Sequence, residues 1–422
     1  MKTGYKKTEL GEIPEDWKAL KFGEIADIKR GASPRPIKDP KFFSKTGREW
    51  VRIADLTASN KYLEQTTQYL SSEGENNSVK IEPGELIMSI CATVGKPLIS
   101  KIRACIHDGF VLFKDLEKKE DINYFYYLLQ SLSIKLASLK QVGTQGNLNA
   151  EIVSNIIVPI PPILEQYKIA EVLSTVDEAI TLADEKIQKT EKLKKGLMQR
   201  LLTKGIGHKK FKKTELGEIP ENWELVTIGE IIDVIRRGPF GGAIKKQIFV
   251  PKGYKIYEQK NVINNDFSLG NYYINEDKYN ELKSFAIEED DILISTAGTI
   301  GKMSIVPKIY KPGIINQAMM KITVNKEKIS PEFFFEILQF PQYTKEIVGS
   351  SQGATMKNIL KISEIKKIRI PLPPLVEQNI IVTTVNDLKE LLEEMGNNKK
   401  MFEKLKKSLM ADLLSGKRRV CL

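Results

Sequence analysis

Few residues in this chain could do covalent chemistry, and they are poorly placed for it. Among 422 residues there are three cysteines (Cys91, Cys105, Cys421) and two histidines (His107, His208). No CxxC or HxxxH spacing joins them, so a zinc or iron–sulfur centre has no ligand set. Gly298-Thr-Ile-Gly301-Lys302-Met303 looks like the tail of a phosphate loop. However, Thr296 stands where the leading glycine belongs, and Met303 replaces the Mg²⁺-binding hydroxyl. Pro161-Pro162 and Pro373-Pro374 lack the flanking Asn or Asp and the aromatic of an amino-methyltransferase loop. Glu364-Ile-Lys366 is half of a nuclease ExK motif without its metal-binding Asp. His107-Asp108 is a conceivable base, but no nucleophile stands with it. The sequence therefore predicts no catalytic residue, no metal site and no cofactor held by this chain.

Binding chemistry is better represented. Reading DNA needs cations for phosphates and forked or amide side chains for base edges. Residues 29–52 hold Lys29, Arg30, Arg35, Lys38, Lys41, Lys45, Arg48 and Arg52, with Phe42, Phe43 and Trp50 interleaved. A second cluster holds Arg236, Arg237, Lys245, Lys246, Lys252, Lys255, Gln259 and Lys260. Gly238, Gly241 and Gly242 stand among them, where a close backbone approach is sterically open. Gln145, Asn147 and Gln352, beside glycines, are further candidate contacts. The strongest DNA-binding candidates are Arg30, Arg35, Lys38, Lys41, Arg48, Arg52, Arg236, Arg237, Lys245, Lys246, Gln259 and Lys260.

These clusters lie at matching places because the chain is written twice. Tyr5-KKTELGEIPEDW reappears as Phe211-KKTELGEIPENW, and 14 of 21 positions agree between 5–25 and 211–231. Leu86-Ile-Met-Ser89 and Thr93-Val-Gly-Lys96 meet Ile292-Leu-Ile-Ser295 and Thr299-Ile-Gly-Lys302 at the same offset. Gln145-Gly146 meets Gln352-Gly353, and Pro159-IPPILE-Gln166 meets Pro371-LPPLVE-Gln378. Four ordered matches with a slowly drifting offset mark a tandem duplication. Residues 29–82 and 235–288 share little, so a common frame carries two different inserts. Where the first copy has His107-Asp108, the second has Asn316-Gln317.

Each copy has two zones. The first mixes β-type runs (84–90, 291–296, 365–370) with helical patterns (122–141, 331–347), which predicts a compact α/β domain. A Pro-x-Pro-Pro run then ends it in extended backbone. The second zone is a long helix. Ile169, Leu173, Val176, Ile180, Ala183, Ile187, Leu197 and Leu201 follow a four–three spacing, interrupted at Thr190 and Lys194. Ile381, Val385, Leu388, Leu392, Met395, Phe402, Leu405, Leu409 and Leu413 repeat it, interrupted at Lys399. Such seams predict an antiparallel coiled-coil pair, each helix ~60 Å long at 1.5 Å per residue. The duplication predicts pseudo-two-fold symmetry. The expected boundaries are 1–162 (N-terminal segment and first domain), 163–206 (first helix), 207–374 (second domain), 375–416 (second helix) and 417–422 (basic tail).

The TELGEIPExW opening, the Gln-Gly pair, the PxPPxxEQ step and the helices ending in Leu-Leu-Thr or Leu-Leu-Ser resemble the DNA-specificity subunit of type I restriction–modification enzymes. The resemblance covers essentially the whole chain, in both copies. It implies two target-recognition domains, each reading half of a bipartite, asymmetric site in double-stranded DNA. It also implies helices that set the gap and dock two adenine-methyltransferase subunits, with restriction (translocase and nuclease) subunits joining later. S-adenosylmethionine, ATP and Mg²⁺ would then be used by the partners and not by this non-catalytic chain. Read from the residues alone, two alternatives stay open: a free-standing bipartite DNA-binding regulator, and a coiled-coil scaffold without DNA affinity.

Composition agrees with a folded protein: 41% hydrophobic and 28% charged residues. No apolar run approaches the ~18 residues of a membrane span, no signal segment opens the chain, and cysteine usage predicts a reducing cytoplasm. The net charge of +11 is localised. Residues 186–213 hold eleven basic and one acidic residue, and residues 399–419 hold eight and two. The excess therefore sits along and just past the helices, and the domains are close to neutral.

Overall fold

The computed structural model describes residues 4–116, 120–139, 148–240, 242–349 and 359–421. The chain forms two compact units, Met1–Glu185 with Gly396–Leu422, and Lys186–Met395. Both are mixed α/β, and each is built on the same plan.

In the first unit a hairpin, Tyr5–Thr8 with Gly11–Pro14, leads to Lys18–Lys21, which pairs antiparallel with Ile157–Ile160. The strand after the TELGEIPExW motif is thus tied to the strand that runs into PxPP. Between them lie two five-stranded sheets. One orders Asp27–Arg30, Phe110–Lys114, Leu86–Ser89, Pro97–Ser100 and Tyr62–Leu63. The other has Arg48–Val51 parallel to Ala104–Ile106, with Val79–Ile81 antiparallel beyond it. The second unit repeats this plan with a four-stranded and a three-stranded sheet. Glu224–Thr227 pairs with Arg369–Leu372, and Ile232–Arg237, Met319–Val324, Ile292–Ser295 and Met303–Ile305 form one sheet. Tyr254–Tyr257 runs parallel to Gly313–Ile315 in the other. The central strands Leu86–Ser89 and Ile292–Ser295 are buried at every position, so they read as unbroken apolar runs and not as alternating ones.

Two expectations change in detail. The helical pattern over 331–347 is two helices, Pro331–Gln339 and Pro341–Val348, because Pro341 cannot continue the first one's hydrogen-bond ladder. The β-type run over 365–370 begins in a helical turn, Ile362–Ile365, and the strand is only Arg369–Leu372. Glu364 accepts the backbone N–H of Lys361 there, capping that turn.

The long helices span Ile163–Lys204 and Leu375–Leu413. In the first unit Ile169, Ala170 and Leu173 pack in one core with Leu413 and Leu414. In the second, Leu201 and Leu202 pack with Ile381 and Val385. The start of each helix therefore meets the end of the other, an antiparallel arrangement. The seam differs from expectation at one place. Leu405 is exposed (45%), and Lys406 takes the inward position, three residues before Leu409 and four after Phe402. Its ammonium reaches Asp177 at 2.6 Å, and Lys399 likewise reaches Asp184 at 2.6 Å. The unbroken 3.5-residue period thus runs through two lysines whose charges are met across the helix pair.

At each helix start the two repeated motifs interlock. Trp17, fully buried, donates its indole N–H to Glu165 at 2.9 Å, and Trp223 donates to Glu377 at 2.9 Å. The other donors differ. Arg419 binds Glu165 at 2.8 and 2.7 Å and also Asp16, whereas His208 and the N–H of Ile206 meet Glu377 at 2.8 and 2.9 Å. The adjoining buried glutamines close the loops beside them. Gln166 accepts from Asp121 and donates to the Pro161 carbonyl, while Gln378 accepts from Ser330 and donates to Pro373. Tyr5 donates to the Gly416 carbonyl, so the N-terminal hairpin sits on the end of the second helix as the second hairpin sits on the end of the first.

Charge-assisted hydrogen bonds contribute about 1.5–3 kcal/mol. Glu165→Gln, which keeps the shape but removes the charge facing Arg419, is expected to lower stability by about that amount in denaturant titration of the full chain. A loss below ~0.5 kcal/mol would show that the junction is held by packing alone.

Candidate nucleic-acid interface

The strand registers give the two units a residue-by-residue correspondence. Val51 pairs with Ile106 as Tyr257 pairs with Ile315, and Arg30 pairs with Val111 as Arg237 pairs with Met320. Arg52 therefore corresponds to Glu258, His107 to Asn316 and Asp108 to Gln317. Three loops gather at this edge of each unit. One follows Asp27–Arg30 or Ile232–Arg237, one follows Ala104–Ile106 or Gly313–Ile315, and one joins Leu86–Ser89 or Ile292–Ser295 to the next strand.

The frame of these loops is the same bond by bond. Gly31 donates to the Phe110 carbonyl at 2.9 Å, and Gly238 to the Met319 carbonyl at 2.8 Å. A Cβ at Gly31 would stand 2.1 Å from the His107 carbonyl oxygen, and one at Gly238 would stand 1.8 Å from that of Asn316. No other residue fits there. The close approach these glycines allow is to the protein's own backbone. Ser89 and Ser295 each turn the third loop by bonding the carbonyls of Thr93 and Thr299 and the N–H of Lys96 and Lys302. Gly298–Lys302 thus lies in a turn between two antiparallel strands, Ile292–Ser295 and Met303–Ile305, and no helix follows it to bind a phosphate.

On this frame the side chains differ. In the first unit Asp108 accepts from Ser33 at 2.7 Å and from Arg35 at 3.0 Å, and its carbonyl accepts from Arg30 at 3.0 Å. Partial burial would raise the Asp108 carboxyl, but Ser33 and Arg35 hold it below its ordinary value. Burial pulls His107 below the ordinary imidazole value, outweighing Asp108, so the ring is neutral at pH 7. Its Nδ1 accepts from Gly109 at 2.7 Å, which leaves the proton on Nε2. Arg52 donates to Thr67 at 3.0 Å, and its buried Nε has no partner among the described residues.

In the second unit Asn316 plays the part of His107, its Oδ1 accepting from Ala318 at 3.0 Å. Gln259 binds the carbonyl of Ala297, Lys260 pairs with Glu258 at 2.6 Å, and Arg236 lies 5.6 Å over Phe285. Lys38, Lys245 and Lys246 are exposed, and Lys41 is exposed beside Phe42 and Glu73. Arg48 and Arg237 face inward: Arg48 binds Glu75, Glu82 and the Ile81 carbonyl, and Arg237 binds the carbonyls of Ile359 and Leu360. Gln145, Asn147 and Gln352 lie outside the described residues.

A family model described as the type I restriction modification DNA specificity domain matches residues 14–192 and again 220–401, once per repeat. The chain belongs to this family. It is a specificity subunit of the type I systems and not an enzyme in its own right. A Methanocaldococcus jannaschii protein with the provisional name MjaX type I restriction enzyme specificity subunit is 31% identical, covering 99% of this chain and 97% of its own. The MjaVIII specificity subunit of the same organism is 30% identical, covering 97% and 94%. The EcoBI specificity subunit of Escherichia coli is 23% identical, over 92% and 83%. A solved structure on complex assembly and conformational transition of the type I system shares the fold at TM-score 0.63 and 16% identity, covering 96% and 99%. The S subunit from M. genitalium does so at 0.53 and 15%, covering 94% and 96%.

In this specificity subunit the sequence pointed to the basic clusters and to a common frame, but not to the loop bonds that build it. The shared Ser89 and Ser295 and the matched Gly31 and Gly238 carried a usable signal: identity at corresponding positions inside otherwise divergent copies. Among the described residues no helix is long and apolar enough to cross a membrane, and no cluster of metal-ligating groups occurs.

The placements separate fold from binding. Lys245→Ala with Lys246→Ala is expected to change stability by less than ~0.5 kcal/mol and to reduce the slope of log affinity against log salt by about 1–2. Arg48→Ala is expected to cost about 1.5–3 kcal/mol of stability. Thermal melts and duplex-binding titrations from 50 to 200 mM salt check both.

Proposed function

We propose that this specificity subunit reads a split, asymmetric site in double-stranded DNA, one half per unit. The observation that carries the reading is one loop frame, repeated bond for bond, displaying different polar side chains in each unit. An unchanging scaffold with two different surfaces suits two different half-sites. The long helices set the unread gap, since each begins in one unit and ends in the other. They also dock two methyltransferase subunits. In support, matching apolar side chains are exposed at both helix starts: Ile163 and Leu164 (37% and 65%), and Leu375 and Val376 (38% and 74%). A surface kept apolar twice suits one partner bound twice. S-adenosylmethionine serves those partners in methylating adenine, and ATP and Mg²⁺ serve the restriction subunits. The assembly works in the cytoplasm. The exposed lysines of residues 186–213, among them Lys186, Lys192, Lys195, Lys209 and Lys210, supply phosphate contacts.

Sequencing N6-methyladenine in the host, with and without this chain, tests the reading. A split motif that disappears with the chain is expected, and an unchanged methylome would overturn it. The seam gives a sharper test. Removing seven residues from each helix preserves the heptad period and shortens each by about 10 Å, or about three base pairs. The motif's gap is expected to shrink accordingly, and an unchanged gap would end the spacing model.

A further inference from the structure

Position 108 in the first unit and position 317 in the second occupy the same point of the shared frame. The residue before each fixes the loop in the same way with different chemistry, for His107 Nδ1 and Asn316 Oδ1 both accept the N–H two residues on. The loop shape is thus set without positions 108 and 317, whose side chains are free to vary. In the first unit this residue is an anchor. Both Asp108 oxygens are occupied, one by Ser33 and one by Arg35, and its carbonyl holds Arg30. Arg35 is left 68% exposed at its side chain, tied at a single nitrogen, with its other N–H groups unpartnered among the described residues. In the second unit the same point carries Gln317, exposed and with no hydrogen bond among the described residues.

We propose that this matched position sets the base preference of each half-site, Asp108 by aiming the Arg35 fork at a guanine and Gln317 by contacting an adenine directly. This rests on the DNA-reading function above. The chemistry comes from the base edges: a guanidinium donates two parallel hydrogen bonds to guanine O6 and N7, while an amide both accepts from adenine N6 and donates to N7. A carboxylate behind the arginine restricts the fork to one orientation and supplies the charge complement, which favours a fixed contact over a wandering one. Arg35 and Gln317 are thus specificity residues, and Asp108 is a positioning residue.

The test uses the full chain in complex with its methyltransferase partner and a duplex library randomised across both half-sites, with N6-methyladenine sequencing as the second readout. Arg35→Gln is expected to weaken the preference for guanine at one position of one half by about tenfold or more, leaving the other half unchanged. Asp108→Asn is expected to relax that same position more weakly, and Asp108→Glu to restore part of it. Gln317→Ala is expected to relax an adenine position in the opposite half only. Should Arg35→Gln fail to assemble, Arg35→Lys, which keeps the charge but loses the fork, must relax the same position. Unchanged consensus in the Arg35 and Gln317 variants, relaxation of both halves by either one, or a wild-type half-site lacking the predicted base would each overturn the proposal. A wild-type complex with no split consensus at all would instead remove the DNA-reading function on which it rests.

Discussion

A carboxylate at the start of each long helix, fully buried at Glu165 and mostly buried at Glu377, is the point on which each unit's junction depends. Glu165 and Glu377 each take an indole N–H from a fully buried tryptophan that lies some 150 positions away in sequence. Burying a carboxylate is unfavourable unless every lone pair finds a donor. Trp17 with Arg419, and Trp223 with His208 and the Ile206 N–H, supply those donors. One residue on, Gln166 and Gln378 tie the preceding proline loop to the domain. The helix start, the opening hairpin and the end of the opposite helix are thereby fixed at one point in each unit.

Along the helices the same logic recurs with cations. The heptad period runs through Lys399 and Lys406, and a leucine lies next to the second on the exposed side. Asp184 and Asp177 across the pair make the lysines tolerable, and Tyr127 of the first domain completes the set by donating to Asp177 at 2.8 Å. Polar pairs on an otherwise apolar seam fix register, because any slip would leave a charge facing hydrocarbon. Fixed register in turn makes helix length a meaningful distance.

The three-loop edges divide labour in a complementary way. Glycines whose Cβ would overlap a carbonyl, and serines that turn a loop from within, occur at the same points in both units. These are the unvarying parts, and they are set by sterics. The side chains displayed on them differ between the units: Asp108 with Arg30 and Arg35 in the first, Gln317 and Gln259 in the second. Three residues of the basic clusters turn inward instead: Arg48 and Arg237, with their guanidinium groups bound inside the domain, and the buried Lys255, whose ammonium donates to the carbonyls of Phe267 and Ser268.

The duplication, the α/β class and the two long helices were legible from sequence alone. They depend on local period and on identity between copies, which survive without a third dimension. Strand-by-strand pairing, the break at Pro341 and the inward turn of Lys406 in place of Leu405 were not. Hydropathy places leucine before lysine, and only the partner helix, with Asp177 waiting, reverses that order. The candidate contacts show the same limit. Composition brought Arg35, Arg48 and Arg237 forward alike, because a basic residue reads the same whether its partner is a phosphate, a carboxylate or a carbonyl. Tertiary structure separates them by bringing Glu82 and Ala104 to Arg48, Leu360 to Arg237 and Asp108 to Arg35. A side chain's use is decided by its neighbours in the fold, and those neighbours are distant in the chain.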